Sequence, residues 1–69
     1  MKDLALAYLR NKAFADRDKA LMSLKILTEN AVGIGDHSTD DFYKNLDEAL
    51  DTLVDAEDRI EILGKYYGR

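Results

Sequence analysis

Val32-Gly33-Ile34-Gly35-Asp36-His37-Ser38 is the stretch whose reading decides how this chain folds. Its two glycines interrupt an otherwise helical pattern of apolar residues, and no comparable breaker follows until Gly64. Gly33 suits the left-handed position just past a helix C-terminus, Ile34 can drop back onto the end of the core, and Gly35 lets the chain reverse. A start signal follows. Ser38 and Asp41 have the spacing of a capping box, and Asp40 and Asp41 put negative charge at the positive end of a helix dipole. The fold class this predicts is all-α, an antiparallel helical hairpin. Its first helix covers about residues 2–31, its turn 33–38 and its second helix about 39–67.

Beyond the turn, Phe42, Leu46, Ala49, Leu53, Ala56, Ile60, Leu63 and Tyr67 recur at alternating steps of four and three. That period keeps one face of a helix against a neighbour, so Leu46, Ala49, Leu53, Ala56, Ile60 and Leu63 form the hairpin seam. Ala49 and Ala56 are seven residues apart within it, which lets the partner helix approach closely at the alanine layers. On the first helix, Leu6, Leu9, Ala13, Ala20, Leu24, Leu27 and Ala31 fall on one stripe able to oppose that seam. Arg17 interrupts the stripe. It is expected to lay its stem over Leu53 and send its guanidinium to Asp55 or Glu57.

The first helix carries a second apolar stripe, Leu4, Tyr8, Ala15, Met22 and Ile26, while Phe14 and Leu21 widen the first. A lone two-helix hairpin cannot bury both sides of one helix. Either the stripe is a homodimer interface, completing a four-helix bundle, or it receives another protein. A break of the first helix near 11–18, with Asp16 capping a new segment, would give three helices instead.

Sixty-nine residues make one domain at most and bury proportionally little surface. With no cysteine and a single histidine, neither disulfides nor a structural zinc cage can reinforce the fold, which leaves oligomerisation. The absence of proline agrees with an almost wholly helical chain. Met1 to Arg10 faintly suggest a signal sequence, but the apolar part is short and no small-residue cleavage pattern follows. Nothing approaches the roughly 20 apolar residues of a membrane span, so the expected location is the cytoplasm, with no membrane partner.

Charge is split about the turn. Residues 1–35 carry six basic and four acidic side chains, a net of +2; residues 36–69 carry four and ten, a net of −6, which together make the overall −4. Folding one half on the other brings opposite signs together, worth about 0–1 kcal/mol per exposed pair. The same balance argues against nucleic acid, which requires a concentrated basic surface.

Two clusters invite a chemical reading. Asp36, His37, Asp40 and Asp41 contain metal-ligand and acid/base side-chain types, but they lack the ligand periodicity of an EF-hand and have no second histidine or nucleophile beside them. Turn and cap chemistry at Gly33, Gly35, His37, Ser38 and Asp41 explains them better. In the second helix, Asp47, Glu48, Asp51, Asp55, Asp58 and Glu61 are similar to the acidic pairs with which all-helical nucleotide pyrophosphohydrolases hold magnesium. Counted from the seam they occupy b, c and f positions, which face water. The reading from the residues therefore assigns no catalytic residue, metal or cofactor. The alternative is a metal-dependent all-α nucleotide hydrolase using the acidic helix.

The segment Glu29-Asn30-Ala31-Val32-Gly33-Ile34-Gly35-Asp36-His37-Ser38, followed by Val54-Asp55-Ala56-Glu57-Asp58, resembles small proteins encoded by marine T4-like cyanophages, a group with no assigned activity. The resemblance implies a phage accessory protein acting in the host cytoplasm. It carries no functional residues across. The expected function is a non-catalytic interaction module, a homodimer that binds a host or phage protein through Tyr66 and Tyr67 or the acidic face of the second helix.

Overall fold

The computed structural model describes residues 2–29 and 39–68. Two helices, α1 over Lys2–Glu29 and α2 over Thr39–Tyr67, pack side by side as an antiparallel hairpin about 49 Å long and 16 × 15 Å across. There is no strand among the described residues. The expected turn and cap residues Gly33, Gly35, His37 and Ser38, and Ala31 at the end of the expected stripe, lie outside the described residues. Asp40 and Asp41 stand in the first turn of α2, and both are exposed.

α1 runs without interruption through residues 11–18. Asp16 does not start a new helix there; its Oδ2 accepts from Lys12 Nζ at 3.0 Å, one turn back along the same face. Alanine, leucine and lysine dominate that stretch, and no glycine or proline opposes it.

The contact between the helices is made of small residues. Ala13 and Ala20 of α1 and Ala49, Ala56 and Leu63 of α2 are the buried side chains, with Ala56 and Ala20 only 1% and 2% exposed. Leu6, Leu24 and Leu27 on one helix and Phe42, Leu46, Leu53 and Ile60 on the other are half-buried beside them. Alanines recur seven apart on both helices, so the backbones close on each other at those layers while larger side chains lap over the edges. Leu9 and Tyr67, at the open end, remain exposed.

Arg17 departs from expectation. Its Nε and Nη2 donate to Asp18 Oδ1 at 3.1 Å, and its guanidinium carbon sits 5.1 Å from the Phe14 ring centroid. The neighbouring carboxylate is reached without crossing the seam, the ring offers a cation–π surface, and Asp55 is already held by Arg59 Nε at 2.9 Å. The Lys12–Asp16, Arg17–Asp18 and Arg59–Asp55 pairs each lie within one helix, so opposite charge does not bridge the hairpin through them. Arg10 Nη2 does bridge it, donating to the Tyr67 carbonyl oxygen at 3.0 Å.

Candidate functional site

A hairpin has a seam, two flanks and the outer sides of its two helices. The antiparallel arrangement brings one flank of α1 beside one flank of α2. On the first side Asp16, Lys19 and Ser23 of α1 face Asn45, Glu48 and Thr52 of α2 across an open groove of about 720 Å³. Ala20, Leu27 and Ala49 line the groove, and Asp51 and Asp55 also border it. Four carboxylates and one lysine line the groove, and two of the carboxylates, Asp16 and Asp55, are also paired with Lys12 and Arg59 at its edges.

The second side is different. Arg10 and Phe14 of α1 meet Ile60, Leu63 and Gly64 of α2 around a recess of about 200 Å³. Further along the same side, at roughly 90° to 130° from the seam by helical geometry, stand Leu21 on α1 and Tyr43, Leu50 and Val54 on α2. Their exposures are 47%, 58%, 51% and 52%, with Phe14 at 38% beneath the Arg17 guanidinium. The Tyr43 ring lies 5.8 Å from that of Phe42, tying this face to the seam. The expected stripe on α1 is also exposed, with Leu4, Tyr8, Met22 and Ile26 at 51% or more and Ala15 open to solvent. It lies roughly 150° from the seam, and Ile26 reaches the edge of the acidic groove.

Sequence reasoning placed Leu46, Ala49, Leu53, Ala56, Ile60 and Leu63 in one seam; in the structure Ala49, Ala56 and Leu63 are buried and Leu46, Leu53 and Ile60 half-buried. It missed Tyr43, Leu50 and Val54. The signal was available in the seven-residue step from Tyr43 to Leu50, immediately beside the seam positions, but each residue taken singly reads as an ordinary surface apolar.

The electrostatics are those of solvated groups. Asp47, Glu48, Asp51, Asp55, Asp58 and Glu61 are all exposed. Among the described residues no three acidic or histidine side chains stand close enough to hold a metal ion. Lys12 titrates above the ordinary lysine value, because its ammonium donates to Asp16 and sits beside that negative charge. No described helix is long and apolar enough to cross a membrane. What these residues form is an α-hairpin with one acidic side and one apolar side. No protein-family model matches the chain, and neither a curated protein nor a solved structure matches it.

Proposed function

We propose that this chain is a non-catalytic protein-interaction module that works as a homodimer, two hairpins forming a four-helix bundle. The observation that carries this reading is the mismatch between what the hairpin buries and what it displays. Among the described residues the buried side chains are four alanines and one leucine, whereas thirteen large apolar side chains are exposed. The chain exposes 5483 Å², roughly a quarter more than the about 4,400 Å² typical of a compact monomer of this size. That excess is of the order one partner contributes to a standard interface, about 800 Å².

A phage origin and a role in the host cytoplasm follow from the resemblance of the glycine turn, and a host or phage protein is the natural second partner. The exposed Tyr66 and Tyr67 and the outer stripe of α1 are the surfaces available to it. Sedimentation equilibrium at micromolar concentration tests the dimer. Twice the chain mass, with helix content falling on dilution, is the expected result; a fully helical monomer at those concentrations overturns it.

A further inference from the structure

Resting on the self-association reading, we propose that the second copy docks on the two-helix face built from Phe14, Leu21, Tyr43, Leu50 and Val54, so that the dimer is two hairpins stacked face to face. The outer stripe of α1 is then left free.

Closure is the first argument. In a four-helix bundle every helix touches two others, so each needs two apolar stripes about a quarter-turn apart. α1 has them, in its seam and in Phe14 with Leu21; α2 has them, in its seam and in Tyr43 with Leu50. The antiparallel arrangement turns both second stripes to one side of the hairpin, opposite the acidic groove. Leu4, Tyr8, Ala15 and Met22 stand too far round α1 to serve, and α2 offers Asp47, Asp51 and Asp58 on its own outer side. Docking there would join α1 to α1 alone and leave both α2 helices outside the contact.

Charge is the second argument. Stacking two copies by the grooved side would bring Asp16, Glu48, Asp51 and Asp55 against their own counterparts, with Lys19 in the groove and Lys12 and Arg59 already engaged by Asp16 and Asp55. Like charges removed from water together oppose association. Leu21, Tyr43, Leu50 and Val54 carry no charge, and among and around them Arg10, Arg17 and Lys25 on α1 accompany Glu57 and Glu61 on α2. A face that carries both signs among its apolar side chains can meet a copy of itself across a two-fold axis.

The area is the third. The surplus exposed surface is of the order that each partner of a stable dimer covers.

Sedimentation of two double variants tests the choice of face. Leu21→Glu with Leu50→Glu should weaken the dimer by roughly 100-fold or more, since two carboxylates enter the centre of the contact. Leu4→Glu with Met22→Glu should change it by less than about 3-fold, as expected of sites outside an interface. The reverse pattern overturns the proposed face while leaving dimerisation intact, and a monomeric wild type overturns both. In case the first variant loses its helices, thiol labelling supplies a second measurement, because the chain has no cysteine of its own. Maleimide should react with Leu50→Cys at least about 10-fold more slowly in the dimer than in dilute protein, and with Met22→Cys equally in both. Protection at Met22→Cys alone, or equal protection at both positions, overturns the face.

Discussion

Arg10 and Tyr67, 57 residues apart, are joined by a hydrogen bond in which Arg10 Nη2 donates to the Tyr67 carbonyl oxygen at 3.0 Å. Tyr67 is the last residue of α2, so its carbonyl is among those with no partner inside the helix, and it stands at the negative end of the helix dipole. A cation supplied by α1 therefore caps α2 and holds the open end of the hairpin together. Arg10→Met keeps most of the aliphatic stem and removes the donor. It should cost about 0.3–1 kcal/mol in urea unfolding and should speed amide exchange in the last turn of α2 before it affects the centre of the helix. Uniform exchange along α2 would mean that the contact has no capping role.

Gly64 and Gly68 predict opposite outcomes for the same substitution. Gly64 lies within α2, and a Cβ there would have no heavy atom within 4 Å outside the helix's own backbone. Gly64→Ala should stabilise the chain by about 0.5–1 kcal/mol, through the lower backbone entropy of the unfolded state. A Cβ at Gly68 would run into the Gly64 carbonyl oxygen. Gly68→Ala should give no gain and should shift the backbone beyond Tyr67, visible as chemical-shift changes confined to that end.

The alanine layers should be intolerant of volume. Ala56→Leu and Ala20→Leu push three extra carbons into positions 1% and 2% exposed, where the facing helix leaves no room. Each should cost about 1–3 kcal/mol or force the helices apart. Ala15→Leu, on the exposed side of the same α1, is the control and should be close to neutral in a stability measurement on the wild-type background.

The Lys12–Asp16 contact predicts a weak alkaline effect with a definite sign. A lysine whose folded-state pKa is raised contributes stability that is fully present below its unfolded value and is lost as pH rises through the folded value. The loss therefore belongs above the ordinary lysine range of about 10.4, and at neutral pH the contribution is fully present and does not vary with pH. Asp16→Ala removes both the hydrogen bond and the charge that raise it. Nitrogen-detected titration of Lys12 should then return to the ordinary value.

The two helices differed in how far they could be read from their residues alone. In α2 the heptad steps from Phe42 to Leu63 trace one continuous stripe, and its residues are buried or half-buried against α1. α1 has leucines, alanines and aromatics around much of its circumference, so Leu4, Leu21 and Leu24 carry the same hydrophobicity on three different sides. Burial separates them: Leu24 is half-buried while Leu4 and Leu21 are exposed. Periodicity describes a single helix. That Leu21 of α1 shares a side with Leu50 and Val54 of α2 depends on how the chain reverses, which no one-helix pattern records. The partner of Arg17 was illegible for another reason. The spacing offered Asp55 and Glu57 across the turn, whereas the guanidinium bonds the adjacent Asp18 and lies over the Phe14 ring, and Asp55 stands on the groove side of the hairpin.

Magnesium should leave this protein unmoved. A site with a dissociation constant of about 0.1 mM would, at about 10 mM magnesium, add roughly 2.7 kcal/mol and raise the melting midpoint by several degrees. Among the described residues the acidic side chains of α2 are spread along an exposed surface, no three of them stand close enough to hold a metal ion, and Asp55 is engaged by Arg59 at 2.9 Å. The expected result is a melting temperature that responds to magnesium chloride no more than to sodium chloride of equal ionic strength, with no turnover of nucleoside triphosphates. General screening of the ten acidic groups in residues 36–69 would act equally in both salts. A magnesium-specific rise that is lost in Glu48→Gln or Asp51→Asn would mark the groove as a cation site and revive the hydrolase reading.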